Sequence, residues 1–354
     1  CIRDRGMTVE DVDKAILENP DAKAVFVNNP TYYGVCSDIK KIADLAHAHG
    51  MYLLADEAHG THFYFGDNMP LAGMKAGADF AAVSMHKSGG SLTQSSFLLT
   101  ADTVNEGYVR QIINLMQTTS GSYLLMSSLD ISRRNLALHG REIFAKVQSY
   151  AQYMRDEINE IGGYYAFSKE LCDGGAFYDF DVTKLSIHTR DIGLAGIEVY
   201  DILRDRYGIQ IEFGDIGNIL AYVSIGDREL YLDRLIGALN DIKRIYSKDK
   251  TGMLDHEYIN PIVKLSPQDA FYGNKKSVPI EQSSGKISGE FVMCYPPGIP
   301  ILAPGEQITD EILAYIKYAG DKGCFLTGTQ DLEIKNIMIC LLYTSPSPRD
   351  PKTS

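Results

Sequence analysis

Residues 51–87 of this chain read MYLLADEAHGTHFYFGDNMPLAGMKAGADFAAVSMHK, and this stretch decides how we interpret the rest of the sequence. The apolar run 51–55 ends on Asp56, and a second apolar run, 80–85, is followed by His86 and Lys87. Short apolar runs of this kind predict buried strands. In an open α/β sheet, ligands bind beyond the carboxyl ends of the strands, so we predict that Asp56 and Lys87 serve one site.

A lysine and a carboxylate at one sheet edge suit the chemistry of pyridoxal phosphate (PLP). A lysine amine can form a Schiff base with the aldehyde of this cofactor. A carboxylate against the pyridine nitrogen keeps that nitrogen protonated, so that the ring can accept electrons. Lys87 and Asp56 therefore form a candidate PLP site.

Two separate motifs resemble those of a known family. The D-E-A-H-G of 56–60 followed by the S-M-H-K of 84–87 resembles the fold-type-I, PLP-dependent Orn/Lys/Arg decarboxylases of the compact type found in Gram-positive bacteria. The Y-P-P-G-I-P of 295–300 and the P-G-E of 304–306 are similar to the C-terminal region of the same family. The resemblance extends over residues 1–340.

The resemblance implies a role for individual residues. Lys87 would carry the cofactor, Asp56 would pair with the pyridinium nitrogen, and Ala58 would pack on one ring face. His86 or Lys87 would return a proton to the substrate Cα. The other implied cofactor neighbours in the same chain are His59, Ser84, His86, Asn29 and Thr31.

A hydroxyl-rich segment, 118–120, is expected to complete the site of a second subunit. In the resembling family the matching segment lies near the phosphate of the partner's cofactor, which implies a homodimer or a higher homo-oligomer. Thr118, Thr119 and Ser120 are the residues concerned. The alternative is that they simply cap the helix predicted at 123–137.

The resemblance implies decarboxylation of a basic amino acid, giving an amine for polyamine biosynthesis and CO2. The distal cation of such a substrate needs a carboxylate, for which Glu212 and Asp215 are the candidates. The sequence leaves open whether arginine, lysine or ornithine is the substrate. The net charge of −12 is compatible with a cationic substrate and argues against nucleic acid as the main partner. The six cysteines are scattered without metal-type spacing, which indicates free thiols in a reducing cytoplasm rather than a disulfide framework.

Two other functional classes stay open. An aminotransferase or carbon–carbon lyase of the same fold would use the same lysine and aspartate, and an aminotransferase usually adds an arginine for the α-carboxylate. The arginines available for that role are Arg110, Arg133 and Arg134. The third possibility is an inactive, truncated homologue.

Two further interpretations of the D-E-A-H segment are disfavoured. A nucleic-acid helicase would also need a G-x-x-x-x-G-K-[ST] loop upstream, which this sequence lacks. His59 and His62 could share a zinc ion with Asp56, but a convincing additional ligand is missing nearby, so we predict no metal site. No apolar run reaches the length needed to span a membrane.

We predict an α/β protein with an incomplete fold-type-I major domain, a smaller α+β domain and a C-terminal decarboxylase domain. A strand at 22–27, a helix at 37–49 and a strand at 51–55 predict a βαβ unit. Further helices are predicted at 123–137 and 142–161, and a strand at 176–182. The predicted divisions are the major domain 1–141, the small domain 142–246, a linker 247–285, the C-terminal domain 286–340 and a non-native tail 341–354.

The sequence begins at Cys1 rather than at a methionine, and the family's major domain begins upstream of the matching point. The phosphate-cradling turn and the aromatic residue stacked on the cofactor are expected in that upstream part. We therefore expect this chain alone to bind PLP weakly. We also expect exposed apolar faces on the strands 22–27 and 51–56, and poor solubility.

Overall fold

The structure is a computed structural model that describes residues 6–250, 253, 259–295 and 298–341. The chain divides into two compact units after Lys250. Of the predicted tail, 341–354, only Leu341 lies within the described residues, and Pro296 and Pro297 of the C-terminal motif lie outside them.

The first unit alternates helices with strands. Its helices are α1 (Val9–Glu18), α2 (Ile39–Ala48), α3 (Gly73–Ala76), α4 (Met85–Ser88), α5 (Glu106–Met116), α6 (Tyr123–Ile161), α7 (Gly196–Tyr207) and α8 (Glu229–Tyr246). Its strands are β1 (Ala24–Asn28), β2 (Val35–Cys36), β3 (Tyr52–Asp56), β4 (Phe80–Val83), β5 (Phe97–Thr100), β6 (Tyr165–Ala166), β7 (Asp179–Phe180), β8 (Lys184–His188), β9 (Phe213–Gly214) and β10 (Asn218–Tyr222).

The main sheet has the strand order β1-β3-β4-β5. Strands β1, β3 and β4 run parallel, and β5 is antiparallel to β4. The predicted βαβ unit is confirmed as β1–α2–β3. Helix α2 forms because Asp38 caps its N-terminus, accepting a hydrogen bond from the Lys41 amide, and because Ile39, Ile42, Ala43 and Ala46 lie on one buried face.

One face of this sheet is buried and the other is open. Val27, Leu53 and Ala81 pack into a core with the apolar faces of α1 and α2. On the opposite face Phe26 is 60% exposed and Tyr52 is 53% exposed. The expected exposure of apolar side chains on these strands is therefore confirmed, although sheets with parallel strands are usually covered on both faces.

A second sheet, antiparallel and ordered β6-β8-β10-β9, packs against α6 and α8. The prediction of one strand at 176–182 is wrong, because the segment holds the short β7 and the chain then turns at Asp181. The amides of Thr183 and Lys184 bond to the Asp181 side chain and carbonyl, and β8 begins at Lys184. This strand was missed because its polar residues resemble a turn, yet Lys184–Ile187 is entirely buried.

The prediction of two helices, 123–137 and 142–161, is also wrong, because α6 is one continuous helix. Gly140, in the middle of it, resembles a helix terminator in the sequence. In the structure it allows close packing instead, since a Cβ there would lie 2.8 Å from the Phe65 Cβ. Helix α6 runs through the domain boundary predicted between residues 141 and 142. The predicted division into domains stays a prediction.

In the part of the second unit that the structure describes, the elements are α9 (Pro267–Tyr272), α10 (Asp310–Asp321) and five strands. The strands are β11 (Lys275–Pro279), β12 (Val292–Tyr295), β13 (Ile299–Leu302), β14 (Phe325–Thr327) and β15 (Asn336–Cys340). They form a three-stranded antiparallel sheet, β13-β12-β14, and the antiparallel pair β11-β15. Residues 267–279 of the predicted linker are thus a helix and a strand. Strand β11 could not be predicted from an apolar pattern, because only Val278 of its five residues is buried.

Within the described residues, no helix combines the length and the apolar character needed to cross a membrane.

Candidate active site

Asp56 and Lys87 follow neighbouring parallel strands at the same edge of the main sheet. Asp56 is the last residue of β3 and lies in register with Ala82 of β4. Lys87 lies in the short helix α4, which begins directly after β4. The Asp56 carboxylate is half-buried, and its Oδ1 accepts a hydrogen bond of 3.0 Å from the Ala58 amide. The structure thus places both residues at the edge where the sequence predicts them.

His59 lies between two lysines. Its Nε2 is 3.1 Å from Lys87 Nζ, and its Nδ1 is 3.0 Å from Lys184 Nζ. The Tyr32 ring packs against the imidazole with a centroid distance of 4.2 Å. Burial, followed by the charges of Lys184 and Lys87, lowers the pKa of His59 far below its usual range. The imidazole is therefore uncharged.

Lys184, the first residue of β8, was missed by the sequence analysis. Its side chain is fully buried, and its Nζ lies 4.0 Å from the centroid of the Tyr222 ring. Burial lowers the pKa of Lys184 to about 8, and the carboxylates of Asp181 and Glu212 oppose that shift. The sequence signal that could have indicated Lys184 is its position directly before the run L-S-I, because this run resembles a buried strand.

A buried histidine–aspartate pair lies close by. His62 Nε2 is 2.9 Å from Asp181 Oδ2, and the Thr183 hydroxyl and amide both donate to Asp181 Oδ1. Burial opposes ionisation of Asp181, but the interactions with His62, Lys184 and Thr183 lower its pKa. Across the described ranges, no group of three or more His, Cys, Asp or Glu side chains is arranged to hold a metal ion.

Asn29 lies beside Asp56 and has an unused donor. Its backbone amide donates to the Asp56 carbonyl, and its side-chain Oδ1 accepts from the Ser37 amide at 2.8 Å. Its Nδ2 is buried and has no hydrogen-bond partner among the described residues. An unpaired buried donor costs about 1–3 kcal/mol, so this amide suits a ligand that brings an acceptor.

Three other predicted cofactor neighbours, Thr31, Ser84 and His86, differ in the hydrogen bonds that their side chains make. The Thr31 hydroxyl accepts from the Val35 amide at 3.1 Å, so it closes the loop after β1. Ser84 precedes α4 but makes no side-chain capping bond. His86 Nδ1 is 2.9 Å from the Ser95 carbonyl. Because a carbonyl only accepts, Nδ1 carries a proton and Nε2 is the ring atom left for a ligand.

Residues 118–120 lie on the surface of their own chain. All three are exposed, and the Ser120 amide donates to the Thr118 hydroxyl. Helix α6 is capped by Ser122 instead, whose Oγ accepts from the Leu125 amide at 3.5 Å. Capping therefore does not explain these hydroxyls, and their role towards a partner subunit stays a prediction.

The arginines weighed for an aminotransferase lie on exposed helix surfaces. Arg110 pairs with Glu106, and Arg133 pairs with Asp130, each within its own helix. Arg134 is also exposed.

The two carboxylates predicted to bind a substrate cation differ in their surroundings. Asp215 is buried and accepts hydrogen bonds from the Tyr33 hydroxyl and from the amides of Gly217 and Asn218, so it organises the turn before β10. Glu212 is exposed and accepts from the Tyr32 hydroxyl. Because Tyr32 packs on His59, Glu212 is the carboxylate that borders the site.

Comparison with known families and curated proteins gives a consistent result. The family model of the Orn/Lys/Arg decarboxylase major domain matches residues 1–230, and that of the C-terminal domain matches residues 251–327. The arginine decarboxylase of Bacillus subtilis is 42% identical over 338 residues, which cover 94% of this chain and 69% of that protein. The arginine decarboxylase of Halalkalibacterium halodurans is 42% identical over 341 residues, with the same coverage.

Solved structures support the predicted fold. The lysine decarboxylase of Francisella novicida matches with a TM-score of 0.73 at 18% identity, covering 95% of this chain and 62% of that one. The constitutive lysine decarboxylase of E. coli gives 0.70 at 17% identity, covering 95% and 61%. An alanine–glyoxylate aminotransferase from Nostoc gives 0.53 at 16% identity, covering 67% and 65%. The fold-type-I α/β architecture is thus confirmed, and the chain spans less than two thirds of these structures.

The family models cover both units of the chain, and the identity with the Bacillus enzyme extends over nearly all of it. The chain therefore belongs to the Orn/Lys/Arg decarboxylase family.

Proposed function

We propose that this chain provides the PLP site of an arginine decarboxylase, which converts arginine to its decarboxylated amine and CO2. The observation that carries the proposal is the position of Asp56 and Lys87 at the ends of adjacent parallel strands, with His59 bonded to Lys87. The relatives at 42% identity are named arginine decarboxylases, which favours arginine over lysine or ornithine. The amine would enter polyamine synthesis in the cytoplasm.

The residues at the sheet edge fit PLP. The Asp56 carboxylate, held by the Ala58 amide, suits a protonated pyridine nitrogen. The unpaired Nδ2 of Asn29 is a buried donor for a ring oxygen. Ala58 is small enough to lie against a ring face. When bound, PLP would supply a ring that accepts the electrons left behind by departing CO2.

The chain's own residues would perform the remaining tasks. Lys87 would hold the cofactor aldehyde and give it up to the substrate amine. Asp56 would keep a proton on the pyridine nitrogen throughout the reaction. His86, whose Nδ1–H is held by the Ser95 carbonyl, would take up a second proton on Nε2 from solvent and return it to Cα, with Lys87 as the alternative donor.

A product assay tests this proposal. The chain is supplied with PLP and with arginine, lysine or ornithine in turn, and CO2, amine and keto acid are measured separately. We expect CO2 and amine in equal amounts, with arginine as the best substrate. Formation of keto acid without CO2 would contradict the proposal and favour an aminotransferase.

We predict that Glu212 binds the guanidinium group of arginine. Glu212→Gln keeps the shape and the contact with Tyr32 but removes the charge. Because a hydrogen bond to a charged group contributes about 1.5–3 kcal/mol, KM for arginine should rise by about 10- to 100-fold, with a smaller change in kcat. Steady-state kinetics with arginine measure both constants.

The matched control is Glu229→Gln, which also removes an exposed carboxylate that accepts from a tyrosine hydroxyl, that of Tyr150. It should leave KM unchanged. An unchanged KM in Glu212→Gln as well would exclude Glu212 from substrate binding.

We also predict that Thr119 and Ser120 complete the site of a partner subunit. They lie in an exposed segment between the exposed side chains of Met116 and Tyr123, 82% and 83% accessible, which suits an interface with a second copy. Mixing a Lys87→Ala chain with a Thr119→Ala/Ser120→Ala chain should restore activity. In a freely exchanging dimer the mixture should reach about a quarter of the wild-type level, because half the dimers are hybrids with one intact site.

Mixing Lys87→Ala with Asp56→Asn is the control. Lys87 and Asp56 of one site both come from the same chain, so each site of a hybrid dimer still carries one of the two changes. This mixture should stay inactive. If the first mixture also stays inactive although the subunits exchange, residues 118–120 do not contribute across an interface.

A further inference from the structure

The Tyr32 ring lies between the two groups that hold the ends of the substrate in the proposed function. Its centroid is 5.9 Å from Lys87 Nζ, and its hydroxyl donates to the Glu212 carboxylate. The substrate amine takes the place of Lys87 on the cofactor, and the guanidinium group binds Glu212. The stem of the arginine side chain, which joins these two ends, would therefore lie along the Tyr32 ring.

Neighbouring residues fix the position of this ring. Phe213 meets the Tyr32 ring near edge-on at a centroid distance of 5.2 Å, and His59 packs against it at 4.2 Å. The next residue in the chain, Tyr33, is buried, packs edge-on against Phe213 at 5.3 Å and donates its hydroxyl to Asp215. A surface that is ordered in advance loses little conformational entropy when it binds a ligand.

The Tyr32 ring is also placed to attract a cation. The face of an aromatic ring carries a negative partial charge and attracts cations within about 6 Å of its centroid. The Nζ atoms of Lys87 and Lys184 lie over the ring at 5.9 and 5.7 Å, close to that limit, so neither of them covers the ring closely. Tyr32 is only half-buried, so part of the ring stays accessible to a ligand.

An aromatic surface beside a carboxylate distinguishes a guanidinium group from an ammonium group. The charge of Glu212 attracts the distal cation of arginine, lysine or ornithine alike. A guanidinium group is planar and weakly hydrated, and it stacks on aromatic faces, whereas an ammonium group is a compact and strongly hydrated charge. The Tyr32 ring therefore supplies a preference for arginine that the carboxylate alone does not.

We propose that Tyr32 is a specificity-determining residue, whose ring carries the arginine side chain between Lys87 and Glu212 and selects a guanidinium group over an ammonium group. This inference rests on the proposed function for the identity of the substrate. The hydroxyl of Tyr32 adds a second task, because its hydrogen bond holds the Glu212 carboxylate at the end of the ring.

The first test needs neither PLP nor turnover. Propylguanidine and butylamine, which correspond to the side chains of arginine and lysine, are titrated into protein with isotope-labelled tyrosine rings. The NMR signals of Tyr32 are assigned by their loss in Tyr32→Phe. We expect propylguanidine to shift these signals and to bind more tightly than butylamine. Equal binding, or no shift at Tyr32, would overturn the proposal whether or not other Tyr32 variants fold.

The second test compares kcat/KM for arginine and lysine in the PLP-loaded protein. Tyr32→Leu should lower the arginine-to-lysine ratio by about 2- to 30-fold, the range expected for one cation–π contact, mainly through a higher KM for arginine. Tyr32→Phe keeps the ring and should retain the ratio, although KM rises for both substrates. If Tyr32 only supported His59, Tyr32→Leu would lower kcat for both substrates equally and leave the ratio unchanged. The inhibition constants of propylguanidine and butylamine give the same comparison if lysine is not turned over.

Tyr165→Leu is the matched control, because Tyr165 is also exposed and donates its hydroxyl to a glutamate, Glu170, at 3.0 Å. It should leave the ratio unchanged. An unchanged ratio in a folded Tyr32→Leu would overturn the proposal, while decarboxylation of arginine would still support the proposed function. If the wild-type protein releases no CO2 from arginine but Tyr32 binds propylguanidine, the proposed function is wrong and the guanidinium site stands.

Discussion

Lys87→Ala is expected to abolish decarboxylation and covalent attachment of PLP together. Lysine is the residue that the mechanism requires for holding the aldehyde, and its Nζ is bonded to His59 at the sheet edge. Loss of a group that reacts covalently costs about 10⁴-fold or more in kcat. The rate of CO2 release and the absorbance of protein-bound PLP measure the two effects.

Lys75→Ala serves as the control, because Lys75 is an exposed lysine on another short helix of the same unit. It should keep full activity. If Lys87→Ala retained more than about a tenth of the wild-type rate, another group would carry the cofactor, since a covalent role accounts for far larger losses.

Asp56→Asn is expected to lower kcat by about 10²- to 10³-fold, the loss found when one electrostatic contact to developing charge is removed. The asparagine keeps the acceptor for the Ala58 amide, so the turn after β3 should be preserved. It cannot, however, stabilise the positive charge of a protonated pyridine nitrogen. Binding of PLP at Lys87 should therefore persist while turnover falls, as measured by parallel titration and CO2 release.

Asp44→Asn removes an exposed carboxylate on α2 and should leave turnover unchanged. A loss in Asp56→Asn of less than about tenfold, in protein that still binds PLP, would show that the reaction does not depend on this carboxylate, because that is well below the expected electrostatic contribution.

The parts of the fold and site that could be predicted depend on local patterns. The strands β3 and β4 are short apolar runs that end on Asp56 and just before Lys87, so chain order alone predicts where these side chains meet. The helix α2 has a capping aspartate and a regular apolar face. His59 was named because it belongs to the same motif as Asp56.

The parts that could not be predicted depend on contacts between distant segments. Lys184 meets His59 only because the fold brings the start of β8, a strand of the second sheet, next to a residue 125 positions earlier in the chain, and no local pattern marks a lysine as buried. Gly140 lies inside α6, where it lets Phe65 approach closely, and this contact with a distant segment is not visible in the local sequence. Strand β11 is recognisable only through its pairing with β15.

The most direct test of the central claim is to find the residue that carries PLP. The protein is incubated with PLP, reduced with borohydride and digested, and the labelled peptide is sequenced by mass spectrometry. The account predicts a single pyridoxyl label on Lys87. A label on Lys184 or on any other lysine, with Lys87 unmodified, would contradict it.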